Sequence, residues 1–314
     1  MKVLFVCSGN SVNGIGAVVS NQAEALMQKG MSVTFFPIKG KGWFSYLKHA
    51  FLLRKFLRKN SFDIIHAHYS LSAFTATLAG CKPLVVSLMG SDAQAGKITS
   101  SLIRFFYKKR WAKLIVKSAS MMEQLKLKDA EIIPNGVDIS FFKPFDDSGL
   151  KSKFGFSTDK QTILFLADPA REAKNFSLAE RAFKMLNDAN IELQIRYNIP
   201  KEEVQQIINA ADTILLTSLW EGSPNVIKES MACNKPIVAT NVGDIAWLFG
   251  DEPGYFLTDF TPENVAEKIK LALEFSNKHS RTNGRERIME LGLDSETVAR
   301  KIISVYQYVL KNGQ

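Results

Sequence analysis

Short apolar runs alternate with amphipathic segments along almost the whole chain, and this alternation constrains the fold more than any other feature. Runs such as KVLFVCSG, MSVTFFPI and FDIIHAHYS have the length of strands, whereas VVSNQAEALMQKG has the length and periodicity of a helix ending at Gly30. Strands that alternate with helices favour a parallel sheet covered on both faces. We therefore predict an α/β protein of the doubly wound type.

The alternation breaks once, at residues 141–156, where FFKPFDDSGLKSKFGF combines proline, glycine and mixed charge. A second alternating run follows, from QTILFLA through IELQIRYN and DTILLTS to KPIVAT. We therefore predict two Rossmann-like domains, residues 1–145 and 151–292, whose parallel sheets face each other across a cleft.

The last segment, from about residue 293 to residue 314, is predicted to be a helix that packs back on the first domain. Its apolar residues recur at helical spacing: Val298, Ile302, Val305, Tyr306 and Val309.

The basic excess of the chain lies entirely in its first half. The net charge is +9, and residues 1–150 contain 20 Lys and Arg against 9 Asp and Glu. Two segments, 41–60 and 97–117, mix Lys and Arg with Trp, Phe and Leu. Basic amphipathic helices with aromatic residues suit an anionic membrane surface, although core helices with solvated basic faces would show the same pattern. No nucleic-acid-binding motif accompanies the charge, so we predict no nucleic-acid partner.

Three features bear on location. The apolar run at the N-terminus is too short for a signal peptide, and no stretch has the apolar length needed to span a bilayer. The cysteines, Cys7, Cys81 and Cys233, are odd in number and far apart, which favours a reducing compartment. We predict a cytoplasmic protein that binds peripherally to the inner face of the membrane.

The segment EGSPNVIKESMACNKPIV, residues 221–238, carries two glutamates eight positions apart around a Gly-Ser-Pro turn. Ser223 followed by Pro224 predicts a helix N-cap and first turn, so the amides of Asn225 and Val226 would face an anionic or hydroxyl oxygen. Glu229 lies one turn further on the same face, where it could accept two hydrogen bonds from a ribose diol. Taken alone, two glutamates would more often make local ion pairs on a capped helix.

The whole segment, including Met231-Ala232 and Lys235-Pro236-Ile237-Val238, closely resembles the signature of the retaining GT-B glycosyltransferases of family 4. The resemblance implies that Glu229 binds the nucleotide ribose and that Glu221 lies beside the donor sugar. Gly222, Ser223, Asn225 and Val226 would complete the donor-binding turn.

Two other loops extend the resemblance to the donor diphosphate. In FLADPAREAKNF, Arg171 and Lys174 follow a strand where family members grip the diphosphate, whose charge grows as it leaves. GNSVNGIGAV resembles the first loop of the family, in which Gly14 and Gly16 let the backbone approach the phosphates.

The segments expected on the acceptor side match the family less completely than those on the donor side. IPNGVD, with Asn135, matches a stretch near the interdomain region of the family, but Met89 stands where the family typically has a histidine, in the sequence Met89-Gly90-Ser91-Asp92. We take His68, Asp92 and Asn135 as acceptor-side candidates. His66 and His68 share one face of a strand, yet no third ligand has a suitable spacing and no DxD motif occurs, so we predict no metal.

The resemblance implies a metal-independent enzyme without a cofactor that transfers a sugar from a nucleoside-diphosphate sugar to a saccharide or lipid-linked saccharide, in the synthesis of envelope polysaccharide or glycolipid. Three alternatives remain. A NAD-dependent oxidoreductase is disfavoured because the first loop is not GxGxxG and TFFPIKG supplies no acidic residue for a ribose. The others keep the fold: a GT-B-like sugar epimerase or phosphorylase, and a catalytically weak relative that binds a membrane surface.

Overall fold

The computed structural model describes residues 1–11, 14–40, 42–147 and 149–312. By its internal contacts the chain divides into two compact units. The first unit comprises Met1–Gly136 together with the C-terminal stretch from Ser295, and the second unit is Val137–Asp294.

The first unit is built on a six-stranded parallel sheet in the order β2-β1-β3-β4-β5-β6. Its strands are β1 Lys2–Ser8, β2 Ser32–Ile38, β3 Ile64–His68, β4 Leu84–Ser87, β5 Lys113–Val116 and β6 Glu131–Ile132. Its helices are α1 Ala17–Gln28, α2 Trp43–Leu57, α3 Ser70–Leu78, α4 Gly96–Lys109, α5 Ala119–Gln124 and, at the C-terminus, Ser295–Asn312. In the register of β1 and β2, Lys2 lies opposite Ser32 and Ser8 opposite Ile38.

Two apolar layers cover this sheet. On one face, Leu53 of α2, Ala73 of α3 and Ile103 of α4 pack against the strands. On the other face, Leu26 of α1 and Tyr306 of the C-terminal helix share a core. The apolar spacing in the last segment is thus used to bury that helix in the first unit, which is the packing we predicted.

The second unit has a five-stranded parallel sheet in the order β11-β10-β9-β7-β8. Its strands are β7 Gln161–Phe165, β8 Ile191–Ile195, β9 Thr213–Leu216, β10 Ile237–Thr240 and β11 Tyr255–Thr258. Its helices are α6 Leu150–Lys153, α7 Phe176–Leu186, α8 Lys201–Ala210, α9 Asn225–Ala232, α10 Ile245–Phe249, α11 Pro262–His279 and α12 Gly284–Glu290. We label the C-terminal helix, Ser295–Asn312, α13.

Two parallel sheets with helices on both faces confirm the predicted α/β class. The division of the chain falls earlier than the junction expected at residues 141–156. That segment belongs to the second unit because Phe142, Leu150 and Phe156 are buried in its core. Proline and mixed charge suggested a linker, but the apolar residues between them decide the packing.

Across the described residues, no helix combines the length and the apolar character needed to cross a membrane. The three cysteines are free and buried.

Candidate functional site

The strand order of the second unit marks where a ligand is expected. From β7 the chain continues to β8 on one side, and β9 lies on the other side of β7, so the loops after β7 and β9 diverge. In open parallel sheets, ligands bind at the carboxyl ends of the strands beside such a switch point. Most of the donor-side residues predicted from the sequence lie on these two loops and on the helix that follows β9.

Hydrogen bonds join the two loops. The loop after β7 contains a 3-10 turn, Glu172–Lys174, and ends at Asn175, whose φ of 49° is left-handed. The Thr217 hydroxyl donates to the carbonyl oxygens of Lys174 and Asn175 at 3.1 and 3.0 Å. The amide of Leu219 donates to the carbonyl of Ala173 at 2.9 Å. The turn carrying Lys174 is therefore held in place by the loop carrying Glu221.

Lys174 and Glu221, predicted from separate motifs, form an ion pair across these loops, and each side chain is only 16% exposed. The Ser218 hydroxyl donates to the same carboxylate oxygen, Oε1, at 2.8 Å. Arg171 lies three residues before Lys174 and is exposed. The site thus has a fixed, partly buried ammonium and a second cation that is open to solvent.

The helix after Glu221 begins one residue later than predicted. Its N-cap is Pro224, and the helix proper begins at Asn225. Ser223 does not cap the helix, and its hydroxyl instead accepts a hydrogen bond from the Lys228 ammonium at 2.9 Å. Proline at the N-cap provides no side-chain cap, and helix N-termini are where anionic oxygens commonly bind.

Glu229 lies one turn along α9 and remains partly exposed. Within the described part of the chain, no hydrogen bond reaches its carboxylate. Burial raises the pKa of Glu229 to about 7, and the positive charges of Lys228 and Lys201 oppose that rise. An ionised carboxylate here can accept hydrogen bonds from a ligand diol without first losing a protein partner.

Sequence reasoning missed two charged residues behind this turn, Lys228 and Asp244. Both are buried. Burial lowers the pKa of Lys228 to about 8 and raises the pKa of Asp244 to about 6, while their mutual attraction opposes both shifts. A lysine inside an apolar helix was the one sequence signal that could have drawn attention to this pair.

The first unit carries the remaining candidates. Gly14 has φ of 83°, a conformation that favours glycine, whereas Gly16 has φ of −65° and is the N-cap of α1. Only Gly14 therefore needs glycine for its backbone. Two other residues of this predicted loop, Val12 and Asn13, lie outside the described residues.

His66 and His68 stack on one face of β3, with ring centroids 4.3 Å apart. His66 bonds to the Tyr306 hydroxyl at 2.6 Å and to the Ser87 hydroxyl at 2.8 Å, so its role is structural. His68 is also fully buried, and neither ring nitrogen has a hydrogen-bond partner among the described residues. Burial and the charge of Lys117 lower the pKa of His68 to about 3, so the ring is neutral at physiological pH.

Of the other two acceptor-side candidates, Asp92 is buried within the first unit and Asn135 lines a small cavity. The Asp92 carboxylate accepts hydrogen bonds from the amides of Ser70 at 3.0 Å and Met89 at 2.6 Å, which ties together the loops after β3 and β4. Asn135 lines a cavity of about 10 Å³ with Asn21 and Gln22 of α1. Neither residue is brought into contact with His68 by any described interaction.

Family models match both units. The description "Glycosyltransferase Family 4" fits residues 12–141, and "Glycosyl transferases group 1" fits residues 190–288. The solved structure of a sucrose-phosphate synthase from Thermosynechococcus elongatus matches with a TM-score of 0.81 at 15% identity, over 99% of this chain and 100% of that chain. Anabaena HepE in complex with UDP-glucose matches with a TM-score of 0.77 at 16% identity, over 98% and 100%.

Two curated relatives are similar in sequence. The putative teichuronic acid biosynthesis glycosyltransferase TuaC of Bacillus subtilis is 23% identical, over 66% of this chain and 60% of its own length. The UDP-Gal:alpha-D-GlcNAc-diphosphoundecaprenol alpha-1,3-galactosyltransferase of Escherichia coli is 25% identical, over 68% and 66%. The aligned part of the chain thus spans just under two thirds of each relative.

The doubly wound parallel sheets and their structural neighbours define a GT-B fold. The chain belongs to family 4 of the GT-B glycosyltransferases, also described as glycosyl transferases group 1.

Proposed function

We propose that this protein transfers a sugar from a nucleoside-diphosphate sugar to an acceptor hydroxyl, with retention of the anomeric configuration. The observation that carries the proposal is the Lys174–Glu221 ion pair at the switch point of the sheet. The partly exposed Glu229 lies close by in sequence, on the helix that follows Glu221. Glu229 accepts hydrogen bonds from the ribose diol, and Glu221 lies beside the donor sugar. The family relationship supports this arrangement, and one relative is named for a UDP-galactose donor.

The cations on the loop after β7 bind the diphosphate, which is the leaving group. Glu221 occupies one of the three donors of the Lys174 ammonium, which leaves two for the diphosphate. Arg171 supplies a planar guanidinium that can bind phosphate oxygens in bidentate fashion. Fixed cations stabilise the charge that grows on the diphosphate as the glycosidic bond breaks. We propose that no metal takes part, so turnover is expected to be unchanged by EDTA.

Calorimetric titration with UDP, GDP and ADP tests the donor site directly. Wild-type protein is expected to bind one of the three, and Glu229→Ala to bind it about tenfold to a hundredfold more weakly, because two hydrogen bonds to a charged acceptor are lost. The matched control is Glu274→Ala, an exposed glutamate of the same unit. A folded wild type that binds none of the three nucleotides would refute the proposed activity.

The acceptor is proposed to be a lipid-linked saccharide used in envelope polysaccharide or glycolipid synthesis. The names of the two relatives support this, since one refers to teichuronic acid biosynthesis and the other to a diphosphoundecaprenol acceptor.

A surface of the first unit favours a membrane-bound acceptor. On α4, Ile98, Leu102 and Phe105 lie at helical spacing and are exposed, although Ile103 of the same helix is in the core. On α2, Phe44 and Phe51 are exposed by 72% and 75%. Residues 41–60 and 97–117 contain no acidic residue. An apolar solvent-facing stripe within segments that carry cations and no acidic residue matches the headgroup region of an anionic bilayer.

Vesicle co-sedimentation tests this surface. We expect binding to phosphatidylglycerol vesicles at low salt and weaker binding to phosphatidylcholine vesicles, because each nearby cation adds attraction to an anionic surface. The double variant Phe51→Ser/Phe105→Ser should lose the binding, whereas Phe260→Ser, an equivalent exposed aromatic in the second unit, should keep it. Equal sedimentation of all three proteins would exclude this surface as the contact.

A further inference from the structure

Asp244 is buried without the partners that a buried carboxylate ordinarily has. It follows β10 and directly precedes α10, and it is 7% exposed. Both of its carboxylate oxygens are buried without a hydrogen bond of ordinary geometry, although the Ser223 hydroxyl lies close enough to lower the pKa of Asp244. Burying an ionised group costs several kcal/mol unless another charge compensates it. Its burial therefore calls for a nearby positive charge.

Lys228 supplies that charge from α9. Its side chain is completely buried, and its ammonium donates to the Ser223 hydroxyl at 2.9 Å and approaches the Ser223 carbonyl at 3.5 Å. Ser223 lies two residues after Glu221 in the turn of the proposed donor site. Lys228 is thus hydrogen-bonded to the turn, and the buried Asp244 carboxylate lies near enough for its charge to act on Lys228.

The backbone beside Asp244 is in close contact with the same turn. A Cβ atom on Gly243 would lie 2.9 Å from the carbonyl oxygens of both Glu221 and Gly222, and the φ of Gly243 is +65°. Near the start of the loop after β9, the Ser218 carbonyl accepts a hydrogen bond from the Thr240 hydroxyl at 2.7 Å. The end of β10 and the segment 243–244 therefore lie directly against the segment that carries Glu221.

We propose that Lys228 and Asp244 are positioning residues that hold the Glu221–Gly222–Ser223 turn against the donor sugar, an inference that rests on the proposed function. Lys228 fixes Ser223, and Asp244 keeps Lys228 charged in a dry environment. Glu221 cannot then move away from the sugar when the donor binds. Neither residue touches the nucleotide, because Glu229 and the first turn of α9 hold that part.

The division of roles gives a readout that simple destabilisation would not produce. Loss of the pair should weaken recognition of the sugar more than recognition of the nucleoside diphosphate. The quantity to measure is the ratio of two dissociation constants, for the nucleotide sugar and for the nucleoside diphosphate alone. The probes are UDP with UDP-glucose and UDP-galactose, GDP with GDP-mannose, and ADP with ADP-glucose, as the wild type selects.

The first variant, Lys228→Met/Asp244→Asn, removes both buried charges together and leaves neither of the two ions without the other. The second, Ser223→Ala, keeps both charges and removes the hydroxyl that accepts from Lys228. In both, the ratio is expected to shift by at least about tenfold against the nucleotide sugar. Nucleoside diphosphate affinity should be unchanged in Ser223→Ala, whereas in the double variant the loss of Lys228, whose charge lowers the pKa of Glu229, weakens the binding of both ligands together and leaves the ratio to report the turn. The matched control is Lys184→Met/Glu180→Gln, an exposed ion pair on α7.

An unchanged ratio in folded Ser223→Ala, or wild-type behaviour of the double variant, would overturn the proposal, because the pair would then only neutralise itself. If the double variant does not fold, Ser223→Ala alone decides. Failure of the wild type to bind any nucleotide is a separate outcome, which removes the proposed function on which this inference rests.

Discussion

The Glu229 carboxylate has no hydrogen-bond donor among the described residues, and its burial makes its charge sensitive to pH near neutrality. Burial raises its pKa to about 7, well above the ordinary value of a glutamate. The folded protein therefore holds a proton on Glu229 that the unfolded chain would release. The contribution of Glu229 to stability is greatest at low pH and is lost as the pH rises through about 7.

Donor binding should show the opposite dependence, because only the ionised carboxylate accepts two hydrogen bonds from a diol. The affinity for UDP-glucose, whose diphosphate does not titrate near neutrality, is expected to fall by up to about tenfold per pH unit below pH 7. Calorimetry between pH 5.5 and pH 8 with Glu229→Gln as the control measures this effect. An affinity in the wild type that does not vary with pH would show that Glu229 does not bind the nucleotide.

At the scale of single elements, the short helix α12 depends on one glycine. A Cβ atom on Gly284 would collide with the Tyr255 hydroxyl and lie 2.6 Å from the carbonyl oxygen of Met231. The helix can therefore approach α9, which carries Glu229, only if no side chain is present at this position.

Gly284→Ala is expected to lower the free energy of unfolding by about 3 kcal/mol, since neither the backbone of α9 nor the Tyr255 ring can move away freely. Urea denaturation measures the loss, with Glu286→Ala, exposed in the same helix, as the control. A change in Gly284→Ala as small as in the control would mean that α12 is free to shift.

The C-terminal helix α13 is tied to the sheet of the first unit by a polar contact as well as by its apolar face. The Tyr306 hydroxyl bonds to Nδ1 of His66, and both side chains are fully buried. Tyr306→Phe leaves His66 with an unsatisfied nitrogen and should cost about 1 to 2 kcal/mol in thermal or urea unfolding. Tyr308→Phe on the same helix, whose side chain is largely exposed, should cost less than a third of that. Equal effects would show that the His66 contact adds nothing.

At the scale of the whole molecule, the first and last residues of the second unit lie next to each other. Val137 and Asp294 form a β-bridge, and the amide of Val137 donates to the carbonyl of Leu293 at 2.9 Å. The unit has its own apolar layers on both faces of its sheet. Closely spaced termini and a self-contained core are the features of a domain that folds alone.

A fragment of residues 137–294 is therefore expected to unfold cooperatively and to bind the same nucleoside diphosphate as the full chain. Residues 1–136 without the C-terminal stretch should aggregate, because the apolar surface of α1 that packs against α13 would be exposed. Circular dichroism and calorimetry on the two fragments measure both effects. A disordered 137–294 fragment would show that the second unit depends on the rest of the chain.

The sequence by itself determined the fold class and the members of the proposed donor site that lie within motifs. Parallel strands buried on both faces are continuous apolar runs, so the alternation with helices could be recognised locally. Glu221 and Glu229 lie in one continuous segment, and Arg171 and Lys174 follow a strand, so their placement at the carboxyl edge of the sheet required only the order of elements.

Only the tertiary structure decided which of these groups meet and what surrounds them. The Lys174–Glu221 pair joins two loops, Lys228 of α9 donates to Ser223 in the turn before that helix, and Tyr306 reaches His66 across 240 positions of sequence. Ser223 looked like a helix cap because its local sequence favours one, but a buried ammonium competes for its hydroxyl. The periodicity of a sequence indicates which residues are buried. It does not indicate which group stabilises a buried charge, because that depends on which strand ends the topology of the sheet places side by side.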